Sequence, residues 1–354
     1  MSEAAVAGVS VVRRTWTSAI AGIALLCALG VLATVPWWGS EALMRDFVEF
    51  FTLLAFAQMW NLLAGYAGLV SIGQQAFIGI GAYSLYLLAD RGGVHAFGAV
   101  ALAGLVAAAM SALVAPLAFR LRGGYFAIGT WVIAEVFALL VLNGSDLGVD
   151  LGGGVGVTIF SAAQLDREFR AHGTYWWALA AGAGSVLITY AILRSRIGLA
   201  LTAIRDDETA ARSLGVNVLR TKVLVWIVAA FGCGVGGSIV YLNLVRVEPA
   251  AAFSVNWAAF MIFIVVIGGI GTIEGPIIGT IVFFVLQEQL SDYGAWYLII
   301  LGSIAVLAAV WLRGGVWGVI GRRFDLHLFP VQRRLRLGAP PSVPAAAAGD
   351  SPPA

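Results

Sequence analysis

Residues 95–119 read HAFGAVALAGLVAAAMSALVAPLAF, with no Asp, Glu, Lys or Arg, and the next charges lie outside the run at Arg91 and Arg120. At about 1.5 Å per residue, a helix of this length crosses a hydrocarbon core of about 30 Å while satisfying its own backbone hydrogen bonds. Runs of the same kind recur at 16–36, 43–64, 68–89, 124–142, 174–193, 222–244, 255–270, 272–290 and 294–312, which makes ten segments in all. Across 354 residues, 60% are apolar and 11% charged, with a mean hydropathy of +0.93. A soluble domain carries about 25% charged residues, so this chain has too little polar surface to cover a water-soluble core. The composition excludes a soluble enzyme, a secreted disulfide scaffold, a nucleic-acid binder and a disordered chain. The expected fold class is an all-α polytopic membrane protein of about ten transmembrane segments. Some of these are short or broken, and the pattern is compatible with an inverted internal repeat.

The charges that remain are unevenly placed. With the N-terminus in the cytoplasm, 16 of the 21 basic residues fall inside and five, namely Arg45, Arg91, Arg167, Arg170 and Arg246, fall outside. That asymmetry puts both termini in the cytoplasm. Residues 16–36, preceded by Arg13 and Arg14, share features with a signal peptide. The length of the run and its end at Pro36-Trp37-Trp38, with no small-x-small cleavage site, favour a retained helix with an interfacial aromatic belt. The expected organisation is a cytoplasmic N-terminus over 1–15, a membrane domain over 16–320 containing a cytoplasmic loop at 194–221, and a tail over 321–354. This tail is first basic and then, from Gly338, Pro/Ala-rich and disordered. Lys222, the single lysine, follows Thr221 rather than a glycine-rich loop, so there is no Walker A motif. If ATP drives this protein, another chain hydrolyses it. Cys27 and Cys233 sit inside apolar runs and read as small hydrophobes, not as a disulfide or a metal site.

Two segments interrupt the apolar pattern with glycine. One runs Gly65-Tyr66-Ala67-Gly68-Leu69-Val70-Ser71-Ile72-Gly73-Gln74-Gln75, with Gly79, Gly81 and Tyr83 following; the other is Gly268-Gly269-Ile270-Gly271-Thr272-Ile273-Glu274-Gly275-Pro276. Paired interruptions in two parts of a transporter point to its substrate path, because broken backbone at membrane depth needs protein or a water-filled cavity around it. Close packing through small residues accounts for many single membrane glycines. The polar residues beside both clusters favour broken or pore-lining elements. Gln58 and Asn61 lie three apart on one face of the second segment. Glu135 sits mid-span in 124–142, one turn beyond Trp131, where exposure of a carboxylate to lipid costs at least about 2.5 kcal/mol. It reads either as an interhelical hydrogen-bonding group or as a pathway residue.

The inner loop carries the densest chemistry: Ala203-Ile204-Arg205-Asp206-Asp207-Glu208-Thr209-Ala210-Ala211-Arg212-Ser213-Leu214-Gly215. Asp206, Asp207 and Glu208 place negative charge at the first turn of a short helix, where the macrodipole favours it. Ala210, Ala211 and Leu214 give that helix a small apolar face, and Gly215 terminates it. Such a helix between two spans suits docking against a soluble partner or lying solvated at the interface.

Taken in order, these motifs resemble the permeases of branched-chain amino acid ABC importers. The resemblance rests on Asn61-Leu62-Leu63-Ala64-Gly65-Tyr66-Ala67-Gly68, Ser71-Ile72-Gly73 and Gly79-Ile80-Gly81-Ala82-Tyr83. It continues through Gly124-Tyr125-Phe126-Ala127-Ile128 with Thr130 and Glu135, Ser195-Arg196-Ile197-Gly198, the Ala203–Glu208 run, Gly215-Val216-Asn217, Gly268–Thr272 and Gly275-Pro276. Over residues 45–320 the pattern is similar to that of the M-type subunit. The resemblance implies an inner-membrane translocation subunit without enzymatic activity or cofactor of its own. It also implies a second permease subunit, two cytoplasmic ATPase subunits that bind the ATP, a periplasmic substrate-binding protein and a small amino-acid substrate. Nucleic acid has no part in it. The resemblance makes Arg205, Asp206, Asp207, Glu208, Ala210, Ala211 and Gly215 the coupling element. The expected path residues are Gln58, Asn61, Tyr66, Ser71, Gln74, Gln75, Tyr83, Tyr125, Thr130, Glu135, Gly269 and Gly271. The chain departs from the family pattern at Thr209, where Glu is usual before Ala-Ala, at Leu151 before Gly152-Gly153, and in lacking a Pro ahead of Arg313-Gly314. An amide or urea importer shares this pattern, and an ion-coupled secondary transporter using Glu135 is the alternative of a different class.

Overall fold

Several helices start at side chains able to cap them. In the computed structural model, Ser40 accepts from the Leu43 amide at 3.2 Å to open α2, and Asp166 accepts from Glu168 and Phe169 at 3.1 and 3.2 Å to open α6. Asn217 accepts from Arg220 at 3.0 Å to open α9. Each cap satisfies amides that have no partner inside the helix. The structure describes residues 9–12, 16–290, 293–294, 296–312, 314–324, 328–329 and 334–337.

The helices are α1 (Trp16–Ala33), α2 (Glu41–Asn61), α3 (Gln75–Tyr86), α4 (Ala96–Ala118), α5 (Gly124–Leu142), α6 (Arg167–Arg194), α7 (Arg196–Asp206), α8 (Glu208–Ser213), α9 (Val218–Leu244), α10 (Pro249–Ala252), α11 (Asn256–Gly268), α12 (Glu274–Leu290), α13 (Trp296–Trp311) and α14 (Gly315–Phe324). Each of the ten segments expected from the sequence carries one of them. Seven helical stretches are long and apolar enough to cross a membrane among the described residues, and the protein is an all-α, multi-pass membrane protein. The two shortest helices in these ten segments, α3 with 12 residues and α11 with 13, adjoin the glycine interruptions, α3 following the first and α11 leading into the second. There the break itself takes up chain that would otherwise be helix.

Burial is graded from the centre outward. Every residue of α3 is buried, and α2 is buried over most of its length, whereas α5 and α13 present largely bare apolar faces. The centre is formed where α9 packs on α3, α4 and α2. A Cβ on Gly81 of α3 would overlap the Gly234 carbonyl of α9, so glycine is what lets these two backbones touch. Around them Trp226 packs edge-on to Phe77, Phe119 and Phe126, and its indole donates to the Ser111 carbonyl at 3.1 Å.

Only short strands occur among the described residues. β2 (Val157–Thr158) pairs antiparallel with β3 (Arg246–Val247) and ties the loop after α5 to the end of α9. β1 (Val9–Val12) pairs antiparallel with β4 (Arg334–Leu337), which brings these two segments together. The β4 strand falls within the basic part of the tail. Residues from Gly338 onward, where disorder is expected, lie outside the described residues.

Candidate functional site

The two glycine interruptions, some 200 residues apart in sequence, meet in space. After α2 the chain makes one wide π turn (Leu62–Tyr66) and then leaves the helix, while after α11 it breaks at Gly269. Asn61 joins the two breaks. Its Nδ2 donates to the Thr272 carbonyl at 2.8 Å and its Oδ1 accepts from the Gly271 amide at 2.9 Å. One turn earlier, Gln58 Nε2 donates to the Ile273 carbonyl at 2.7 Å. These two side chains therefore supply the hydrogen bonds that the interrupted backbone lacks. Both are fully buried, and the Oε1 of Gln58 has no hydrogen-bond partner among the described residues. Gly269 and Gly271 have φ of +132° and +75°, and a Cβ at Gly65 would lie 2.6 Å from the Gly271 nitrogen. Tyr66, half-buried, packs beside Leu54 and Ile273 at the same junction.

The rest of the first interruption is seated on its neighbours. Trp60 Nε1 donates to the Ser71 carbonyl at 2.8 Å, and the Ser71 hydroxyl accepts from the Gly73 amide at 3.2 Å. Thr130 Oγ1 accepts from the Ile72 amide at 3.3 Å, and Cys233 Sγ lies 3.5 Å from Gln74 Oε1 as its donor. Gln75 is buried with its Oε1 unpartnered among the described residues. Of the expected path residues, Gln58, Asn61, Ser71, Gln74 and Thr130 thus spend polar groups on the backbone or side chains around the breaks.

Glu135 lies apart from this cluster. It is exposed on the bare face of α5 and lines a cavity of about 380 Å³ with Trp131, Leu139, Pro249, Phe253 and Ser254. Phe253 is the link inward. It is nearly buried and stacks on Tyr83 of α3, with ring centroids 6.2 Å apart and planes at 23°. The Tyr83 hydroxyl is buried without a partner among the described residues. Tyr125, by contrast, is 77% exposed at the start of α5 and belongs to neither cluster. Phe253 escaped the sequence reading because it falls between segments, in the turn after α10. The available signal was Glu248-Pro249, a proline at the first helical position.

The 194–221 loop folds as a compact helix pair. Ser195 caps α7 through the Ile197 amide at 3.1 Å. Asp206 ends α7, and Asp207 caps α8, accepting from Thr209 and Ala210 at 2.7 and 2.9 Å. Only Glu208 of the acidic trio lies in the first turn of α8. Ala211 is buried against Ile204 and Val218, while Ala210 faces out. Gly215 ends the unit with φ +81°. Glu208 bridges Arg212 at 2.6 Å and Lys222 at 2.7 Å, which pins α8 to the start of α9. The hydrogen bond from Lys222, helped by Arg212, holds the Glu208 carboxyl below the usual carboxylate range. Leu199, Leu214 and Leu219 are 75%, 80% and 58% exposed around this unit. An open hollow of about 430 Å³ lies between Arg212 and Leu219.

Arg205, at the end of α7, turns away from this outer surface. Its Nη1 donates to the Gly65 carbonyl at 2.8 Å, so the inner loop touches the junction of the two breaks.

Comparison with known proteins gives the chain its relatives. The high-affinity branched-chain amino acid transport system permease proteins LivM of Salmonella typhimurium and of Escherichia coli (strain K12) are each 30% identical to it over 278 residues. Those matches cover 72% of this chain and 65% of each relative, a little under two thirds of their length. The ribose import permease RbsC of Haemophilus influenzae is 29% identical over 127 residues, covering 34% of this chain and 39% of that protein. No solved structure matches the chain. Residues 43–313 match the family described as the permease component of branched-chain amino acid transport systems, a range that holds both glycine breaks, α5 and the α7–α8 pair, and the chain belongs to that family.

Proposed function

We propose that this chain is the membrane-spanning permease subunit of an ATP-driven importer for branched-chain or related amino acids. Residues 16–320 form the permease domain in a bacterial inner membrane, with both termini and the 194–221 loop in the cytoplasm. The complex holds two ATPase subunits, of which one docks on that loop, a second permease subunit covers the bare membrane face, and a periplasmic binding protein delivers substrate. The chain performs no covalent chemistry, and ATP is bound by the partners. The observation that carries this reading is the α7–α8 pair. It is capped by Asp207, pinned by the Glu208–Lys222 pair and ringed by exposed leucines. Bare apolar side chains outside a membrane are the mark of a docking surface.

In this scheme the cavity at Glu135 belongs to the outer part of the path, with the Phe253–Tyr83 stack as its floor. The joined breaks close the inner end. Movement of α8 as the ATPases bind and hydrolyse ATP exposes the path alternately to the two sides. The substrate class rests on what the relatives transport, and recognition of the side chain belongs mainly to the binding protein.

The test is uptake by vesicles holding the complete complex, with radiolabelled leucine, urea and ribose supplied in parallel. ATP-dependent leucine uptake is expected. Uptake of urea or ribose in its place reassigns the substrate class. Uptake by this chain alone, in ATP-free vesicles under an ion gradient, would make it a secondary transporter.

A further inference from the structure

We infer that Arg205 is a latch, a positioning residue that transmits movement of the inner loop to the two joined breaks. The inference rests on the importer reading above and adds to it a specific mechanical connection. The carbonyl of Gly65 lies in the last turn before the chain leaves the helix, where carbonyls have no amide of a following turn to accept from. Arg205 supplies the donor at 2.8 Å from an element 140 residues away. The same Nη1 also stands close to Gly271, where an added Cβ would lie 3.0 Å from it. Asn61 bonds to Gly271 and Thr272 directly behind. One cation thus abuts both interruptions at the point where they are held together.

Arg205 is also fixed to the part of the loop that would move. It precedes the α8 cap Asp207 by two residues. Ile204 beside it packs with Ala211 of α8 and Val218 of α9. With Glu208 paired to Lys222, the α7 end, α8 and the α9 start form one unit. Displacement of α8 therefore displaces Arg205. The Arg205 side chain is itself exposed, so water can solvate the guanidinium when the bond to Gly65 opens. A latch must release without stranding a charge, and this one does.

Two measurements on the complete complex test the latch. In the first, substrate moved per ATP hydrolysed is compared for wild type, Arg205→Ala and Arg205→Lys. Arg205→Ala is expected to lose at least tenfold in that ratio while ATP hydrolysis falls less than threefold. Arg205→Lys, which keeps a cationic donor, is expected to recover to within threefold of wild type. In the second, amide hydrogen exchange at residues 62–66 and 269–273 is expected to rise at least fivefold in Arg205→Ala and to stay near wild type in Arg205→Lys. The second reading needs no transport, so absence of ATP-dependent uptake by the wild type would sink the importer reading without deciding the latch. Unchanged coupling, unchanged exchange, or loss of the ATPase subunits on purification of Arg205→Ala would each overturn the latch. The last of these would make Arg205 a partner contact instead. Arg205→Gln, which retains an amide donor, is run alongside and carries the same comparison should Arg205→Ala not accumulate.

Discussion

Asn61 offers a sharp test of how the interrupted backbone is held. Replacing it by Ala removes two hydrogen bonds at once, stranding the Gly271 amide and the Thr272 carbonyl. A polar group left without its partner in a fully buried site costs about 1–3 kcal/mol. Gly271 and Thr272 are half-buried, so water reaches them in part and the lower half of that range applies. The expected loss is about 2–4 kcal/mol, a large share of the roughly 5–15 kcal/mol that holds a typical domain together. Gln58 provides the control. Gln58→Met, close in length, strands the buried Ile273 carbonyl but also removes a buried amide oxygen that has no partner among the described residues. Those effects oppose each other at about 1–3 kcal/mol each, for a net change centred on zero and at most about 2 kcal/mol. The assay is denaturant unfolding of the detergent-solubilised protein, with tryptophan fluorescence as the signal. Equal losses for the two variants, or a larger loss for Gln58→Met, would refute the assignment of Asn61 as the main clamp.

Further outcomes follow from single positions. Glu135→Gln is expected to impair uptake with normal abundance, measured by transport against immunoblot; full transport removes Glu135 from the path. A Glu208→Gln/Lys222→Met double-mutant cycle should give a coupling of about 0.5–1 kcal/mol, reduced because the Glu208 side chain is 38% exposed. Since the folded Glu208 carboxyl is held below its unfolded value, that coupling is fully present above about pH 4.3, the ordinary glutamate value. It is lost as pH falls through the lower folded value, which repeating the cycle in acid checks. Gly81→Ala, whose Cβ would overlap the Gly234 carbonyl, should destabilise the protein strongly, whereas Gly184→Ala in α6 meets nothing within 4 Å. The latter should stabilise by up to about 1 kcal/mol through helix propensity, so equal thermal stability of the two variants would contradict the packing of α3 on α9.

The ten segments were legible because an apolar run of bilayer length is a local property that no other part of the chain can alter. The interruptions were legible for the same reason, since each is a cluster of glycine in a helical context. Their meeting was not. Nothing near Gly65 specifies Gly271, and the need for glycine at both comes from a close approach visible only once α2 and α11 are packed together. The polar residues show the same divide. Gln58 and Asn61 could be recognised as costly and therefore purposeful, but their spacing fits a pore lining and a backbone clamp equally well. Which one holds depends on what stands opposite the helix face, and here that is the bare backbone of 271–273.

The inner loop shows where local rules reach furthest. An acidic trio before an alanine-rich turn and a glycine demands a short helix, and one forms. The division of the trio was beyond pattern, because Asp206, Asp207 and Glu208 each suit a helix terminus. The structure separates them by geometry: one ends α7, one caps α8, and one turns back to the only lysine. Lys222 had been informative only for the motif it lacked. Its actual place, opposite Glu208 at the start of α9, makes it the rivet that joins α8 to α9. The same logic applies to Arg205, whose neighbours in sequence belong to the exposed helix pair while its side chain reaches the glycine breaks. A helix pair that exposes leucines on one side and anchors a cation to broken backbone on the other has the two ends that a transmission element requires.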